Sequence, residues 1–301
     1  MFQGDVVGKD EVKLMNGVKQ FMFWGVHVAC LLAFWAGFSW FALFVCMALY
    51  VIRMFGITGV YHRYFSHRTY DTSRWFQFVL GFLGASSGQK GPIWWASHHR
   101  HHHQHSDTPQ DAHSPAIHGI YYAHVGWILS SQFVNTREEL VTDLLKFPEI
   151  RWLDRWYMLP PLVLAVGLFF LGNLLASVAP GLHTNGFQLL IWGFFISTVL
   201  LYHGTFCINS FCHLMGNRRF KTTDDSRNSL ILALITLGEG WHNNHHRYPG
   251  SERQGMYWWE IDISHYTVKV LEKLGLVWNV RLHPKRIYEE AISNNTAQTV
   301  S

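Results

Sequence analysis

The chain has 301 residues, enough for about two folding units of ordinary size. Hydrophobic residues make up 49% and charged residues 15%, against about 25% charged in an ordinary soluble domain, which excludes a disordered chain and argues against a wholly soluble one. A formal charge of +4, with basic residues scattered among acidic ones, gives no case for nucleic acid, so the 20 histidines are the departure that needs a function.

Taken in chain order, a polar lead with Lys9, Lys13 and Lys19 comes first. It has no short apolar core with a small-residue cleavage site, so it does not read as a signal peptide. No Lys, Arg, Asp or Glu then occurs from Gln20 to Ile52, nor again from Trp156 to Phe206. Each gap exceeds the roughly 20 residues that one membrane helix needs. Gly37-Phe38-Ser39 breaks the first, and Pro180-Gly181 with Asn185-Gly186 breaks the second. Four transmembrane helices are therefore predicted, near 20–37, 40–60, 157–178 and 186–206. Apart from Arg53, the Lys and Arg residues fall before residue 20 and in 61–155 and 207–301, which places both termini and both polar segments on the cytoplasmic side. Two buried helical hairpins of a soluble protein are disfavoured, because these stretches show no polar face. The expected fold is an all-α integral membrane protein, one domain over 1–301, with four transmembrane helices and a cytoplasmic helical cap. It is multi-pass, in the cytoplasmic membrane if bacterial and in the endoplasmic reticulum if eukaryotic. Trp75 to Gly88 is apolar but too short to cross, and fits the membrane interface. Cys30, Cys46, Cys207 and Cys212 form no C-x-x-C pair and read as packing residues.

The histidines that matter lie in four clusters on the cytoplasmic side: His62-Arg-Tyr-Phe-Ser-His67, the run His98 to His105, Asn209-Ser-Phe-Cys-His213, and Trp241-His242-Asn-Asn-His245-His246. His99, His102 and His103 stand at i, i+3 and i+4, and His242, His245 and His246 repeat that spacing, so each set shares one helical face. Asn209 and His213, four apart, do the same. His62 and His67 are five apart and diverge on a regular helix, so they are expected near a helix end or across a metal. Nine imidazoles, at 62, 67, 99, 102, 103, 213, 242, 245 and 246, exceed the roughly four to six positions around one ion, which implies two metals. Neutral imidazole suits Zn, Cu, Fe and Ni alike, so ligand type leaves the metal open. Asp107, Asp111 and Glu239 flank the clusters and are candidates to hold the ligands' other nitrogens. A His-rich run alone is often a loose surface metal tract, but the same H-x-x-H-H on two distant segments speaks against that.

At these residues the chain resembles the membrane fatty acid desaturases, in particular their acyl-CoA and acyl-lipid position-9 branch. The likeness is carried by His62-Arg-Tyr-Phe-Ser-His67, by Gly91-Pro-Ile-Trp-Trp95 followed by the His run, Ser106-Asp107 and Asp111-Ala-His113, and by Gly238-Glu-Gly-Trp-His-Asn-Asn-His-His246. It runs from about residue 56 to 260. The resemblance implies two non-haem irons held by the nine histidines, with Asn209 as a ligand through water. It implies O2 as co-substrate and a cis double bond placed in a saturated acyl chain, on coenzyme A or on a lipid. Trp95, Tyr122, His124 and Trp127 match channel or headgroup positions. Phe206 stands where animal acyl-CoA relatives commonly have Trp, and Ala112 replaces the proline of the family's Asp-Pro-His.

An alkyl chain offers no acidic proton, so its oxidation must pass to metal and oxygen. The chain carries no G-x-G-x-x-G and no Cys set for an iron-sulfur cluster, so a separate ferredoxin or small cytochrome with its reductase is expected as electron donor. Lys90, Arg100, Arg218 and Arg219 are candidates to meet that donor or a phosphate-bearing acyl carrier. Two other functions compete: a hydroxylase or ketolase of the same di-iron superfamily, and a membrane metal-binding or transport protein. The second would line its spans with ionisable ligands, where this chain has chiefly His27 and His203. A ferritin-like centre needs two Glu-x-x-His pairs, and only Glu239 to His242 fits.

Overall fold

The computed structural model describes residues 9–299; the first eight residues of the polar lead lie outside the described residues. Helix dominates. α1 (Lys9–Ala29) continues through a 3-10 turn into α2 (Ala33–Ala36), and Gly37, at φ +70, turns the chain as the Gly/Ser break predicted. Ser39 then caps α3 (Trp40–Phe55), its Oγ accepting from Ala42 N at 3.1 Å. α3 runs without interruption into a π-helical segment, Gly56–Ser66. Next come β1 (Asp71–Thr72), α4 (Arg74–Ala85), α5 (Pro92–His105), α6 (Pro115–His118), α7 (Trp127–Leu129) and α8 (Pro148–Arg155). α9 (Leu159–Val178) and α10 (Gly186–Leu189) follow, α10 leading through a π segment, Leu190–Ile196, into α11 (Ser197–Ser210). The chain closes with α12 (Leu230–Ile235), α13 (His242–Arg247), α14 (Ile263–Lys273), β2 (Val277–Trp278) and α15 (Lys285–Thr299). β1 and β2 pair antiparallel and tie the two polar segments together.

Among the described residues, three helices are long and apolar enough to cross a membrane: Trp40–Ser66, Leu159–Val178 and Gly186–His213. A fourth apolar helical stretch, Gln20–Ala36, is shorter. Two of the three outrun their predicted ends at 60 and 206. The reason is local: the polar sequences that close the spans, His62 to Ser66 and Asn209 to His213, stay helical, so both helices rise out of their apolar portions carrying histidines.

The main core packs the π segment against α4, α5 and α8, with Tyr61, Phe65, Leu80, Ile93, Ile150 and Leu153 buried. Gly84 makes the α4 contact possible, since a Cβ there would stand 2.2 Å from the Tyr61 ring. Arg53, buried within the apolar part of α3, donates to Thr198 Oγ1 at 2.8 Å and to Ser197 Oγ, and so joins α3 to α11. Trp75 and Val79 keep α4 apolar on its exposed side, as an interfacial helix requires.

Candidate metal centre

The nine histidines come together in two groups. His62, His67, His99, His103 and His245 place one ring nitrogen each within 4.8 Å of the others, and His102, His213, His242 and His246 do the same beside them. The two H-x-x-H-H helices exchange members. On α5 the i, i+4 pair His99 and His103 enters the five-membered group and His102 the other. On α13 the i, i+4 pair His242 and His246 enters the four-membered group and His245 the other. The groups touch where the His103 and His246 rings lie 4.5 Å apart.

His62 and His67 converge because of the π segment. His67 N donates to His62 O at 3.2 Å, an i to i+5 bond, and the two rings lie 5.0 Å apart. An α-helix would have rotated them away from each other.

Four carboxylates fix ring orientation from behind. Asp111 accepts from His102 Nδ1 at 3.0 Å, Asp107 from His213 Nδ1 at 2.8 Å and Asp224 from His246 Nδ1 at 2.8 Å, while Glu239 meets His62 Nδ1. This leaves Nε2 of each ring facing inward. Asp107, Asp111 and Glu239 were legible beside the clusters; Asp224 was not, because it stands far from any histidine in sequence. Gln254, also beyond the reach of sequence spacing, donates to Glu239 Oε2 at 2.6 Å. Arg63 binds Glu239 at 3.0 Å and Asp262 at 2.9 Å, and so balances the carboxylates behind His62.

The donor set fits metal. His67 and His99 hold their Nε2 atoms 2.7 Å apart, His62 and His245 3.0 Å, and His245 and His103 2.9 Å. Such separations suit nitrogens sharing an ion about 2.0–2.1 Å away. In the second group His213 Nε2, His246 Nε2 and His242 Nδ1 are buried without a hydrogen-bond partner, a cost that a cation between them removes. Burial pushes His99, His103, His242 and His245 well below the usual imidazole value, so they stand as the free bases that bind metal. Burial takes His246 down to about 4 against the pull of Asp224. Asp107 sits at about 2, where burial opposes ionisation and the bonds from His213, Ser114 and Asp225 N outweigh it.

A cavity of about 180 Å³ adjoins the centre, lined by residues of α1, α5, α9 and α11 and by the loop Ser86 to Lys90. A smaller one, about 20 Å³, lies against His62, His99, His102 and His242. Trp95, His99, Thr205 and Asn209 line both, so the apolar space leads to the histidines. Lys90, Trp95, Trp127 and Phe206 line the larger cavity. Tyr122 is set behind Trp127, in an apolar cluster with Trp94 and Phe133. His124 bonds Ser210 Oγ at 2.9 Å and His203 Nδ1 at 3.0 Å. Arg100 is held by protein: it donates to Phe65 O, Ser66 O, Leu140 O and Asp143. Arg219 pairs with Glu260, and Arg218 with Asp225 at 3.4 Å. His113, given no role from spacing, lines the cavity, and its Nδ1 stands 3.7 Å from Asp111.

The model of the fatty acid desaturase family matches residues 38–281. The chain belongs to the fatty acid desaturase family. An acyl-CoA C20 Delta5-desaturase of Anemone leveillei is 37% identical to it over 273 residues, covering 89% of this chain and 82% of that protein. A Delta-9 acyl-lipid desaturase of Arabidopsis thaliana is 37% identical over 90% of this chain and 85% of its own length. An sn-1 stearoyl-lipid 9-desaturase of Anabaena variabilis is 35% identical over 90% of this chain and 96% of its own. This desaturase is thus an oxidoreductase of fatty acyl chains, and its three long apolar helices make it membrane-associated.

Proposed function

We propose that this desaturase places a cis double bond at position 9 of a saturated acyl chain, using two irons held by the two histidine groups and O2 as co-substrate. The observation that carries the reading is the division of nine inward-facing imidazoles into two adjoining groups at the end of an apolar cavity. Position 9 rests on the relatives named for it, the Delta-9 acyl-lipid and sn-1 stearoyl-lipid enzymes. Four spans and a cytoplasmic cap complete the topology. Gln20–Ala36 supplies the first span, near the lower limit of about 17 residues, and the distribution of Lys and Arg sets the side.

Bound iron supplies the oxidant: for each saturated chain, one O2, two electrons and two protons become two waters while two hydrogens leave adjacent methylenes. Everything else belongs to the chain's own residues. Asp107, Asp111, Asp224 and Glu239 hold the rings so that no reorganisation is needed when metal binds. Trp95 and Thr205, lining both cavities, bring one stretch of alkyl chain against the histidines, and Asn209 faces the same junction as the residue to hold a water ligand. Phe23, Trp127 and Phe206 keep bulk water from that stretch. The four cysteines are free, so the described residues hold no iron-sulfur cluster of their own, and a ferredoxin or small cytochrome with its reductase would supply the two electrons.

The test is the fatty acid profile of cells expressing the chain with a compatible donor, by gas chromatography with double-bond location. A His102→Ala, His245→Ala variant, which removes one ligand from each group, is the control. A cis-monoene at position 9 that disappears in the variant is expected. A hydroxylated acid in its place would assign the chain to hydroxylation instead.

A further inference from the structure

Two of the residues that line the larger cavity reach the outer surface of the protein. Of its lining residues only Met22 on α1 and Met158, at the N-cap of α9, are substantially exposed, at 39% each. The surfaces around them are apolar and exposed: Phe21 and Trp24 on α1, Leu159 and Leu162 on α9. The wall of the cavity thus includes residues that α1 and α9 expose on their apolar outer flanks.

The polar edge of the cavity is small. Among the described residues that line it, Lys90 is the one Lys or Arg, and its Nζ donates to Tyr157 Oη at 3.1 Å. Arg100, the nearest alternative on α5, is spent on Asp143 and three carbonyls. A coenzyme A head carries several phosphate charges and calls for several cations or Arg forks. A single ammonium at the membrane surface suits the single phosphate of a glycerolipid.

The α1 side of the cavity is braced. His27 Nδ1 donates to Phe23 O at 2.7 Å, which leaves its Nε2 to accept from His203 Nε2 at 3.2 Å. His203 Nδ1 in turn accepts from His124 Nε2 at 3.0 Å. The string ends on a main-chain carbonyl, which cannot pass a proton on. It is a brace that holds Phe23 and Val26 against the cavity, and no proton path.

We infer that the acyl chain reaches the cavity sideways from the bilayer, between α1 and α9 past Met22 and Met158, as the tail of a glycerolipid whose phosphate meets Lys90. The inference rests on the desaturase reading above and narrows its substrate to membrane lipid.

The full chain in phosphatidylcholine–phosphatidylglycerol vesicles, with a phosphatidylglycerol bearing a photoactivatable group in mid-chain, tests the route without turnover. On irradiation, label is expected at Tyr202, Thr205 and Phe206 inside the cavity. A Met22→Trp, Met158→Trp variant should lose the interior label and keep label on its outer faces, while Met22→Ala, Met158→Ala keeps both. An unlabelled interior in the wild type, or equal interior label in the Trp variant, overturns the route. Iron-loaded protein with its donor is then given stearoyl chains on phosphatidylglycerol or on coenzyme A. Turnover of the thioester with none of the lipid overturns the carrier. Interior label with no oxidation of either substrate supports the route and counts against the desaturase reading instead.

Discussion

Asp224 accepts a hydrogen bond from His246 Nδ1 at 2.8 Å, from 22 positions earlier in the chain. The carboxylate is buried and further held by Ser226 N at 3.0 Å, so it fixes the tautomer that turns His246 Nε2 into the four-membered group. Loss of such a partner typically costs about 10–100-fold in metal affinity or activity. Asp224→Ala is expected to fall in that range, with iron content falling alongside activity and Asp224→Asn recovering part of both. Unchanged iron content in Asp224→Ala would remove Asp224 from the account.

Acid should destabilise the metal-free protein relative to neutral pH. His99, His103, His242 and His245 lie below the free value of about 6.5, and His246 lies at about 4. Between those values the unfolded chain binds more protons than the folded one. The neutral-histidine contribution is therefore full above pH 6.5 and is lost as pH falls toward 4. His102 moves the other way, raised by Asp111 against burial, and contributes below 6.5 until pH climbs through its folded value. His67, His101, His113 and His283 are lowered by burial as well, so His102 is outweighed and the melting temperature of the metal-free protein should fall steadily from pH 7 to 5. A flat or rising profile there would contradict the buried, neutral state of the ligands.

Gly240 stands where α12 meets the start of α13. A Cβ on it would lie 2.1 Å from Ala233 N and 2.5 Å from Ser229 O, both main chain, while Ser229 N donates to Gly240 O at 2.8 Å. Relief requires the backbone before His242 to move. Gly240→Ala is expected to destabilise by about 1–3 kcal/mol and to lower iron retention more than any substitution of equal size on the lipid-facing surface. Calorimetry and metal content of purified protein check both halves.

Arg100 serves the fold of the site. Its guanidinium caps the carbonyls of Phe65 and Ser66, which end the π segment, and pairs with Asp143, where hydrogen bonds from Arg100 and Arg68 outweigh burial and hold the carboxyl at about 2. Arg100→Gln should cost about 1.5–3 kcal/mol of stability and leave KM for the acyl substrate unchanged in the protein that remains folded. A raised KM at unchanged stability would return Arg100 to the acyl carrier.

The sequence carried the clustering histidines better than their supports. His99 with His103, and His242 with His246, were visible because helical spacing writes adjacency into the chain. Charge gaps marked the apolar parts of α3, α9 and α11 for the same reason. For His62 and His67 the spacing pointed to a helix end or to a metal between them; the π turn that aligns i with i+5 was not derivable, since residues Gly56 to Ser66 carry no local mark of one. Asp224 and Gln254 escaped because their partners are neighbours in space alone. Arg100 read as a contact for the donor or the acyl carrier, whereas the fold lays the π segment's terminal carbonyls beneath it.

Two irons in two groups is the claim on which the rest depends, and metal per chain tests it most directly. Protein purified from iron-supplied cells should hold two irons per chain, while His67→Ala and His213→Ala, each striking one group, should each retain about one. One iron in the wild type, or loss of all metal from either single variant, would contradict the division into two sites.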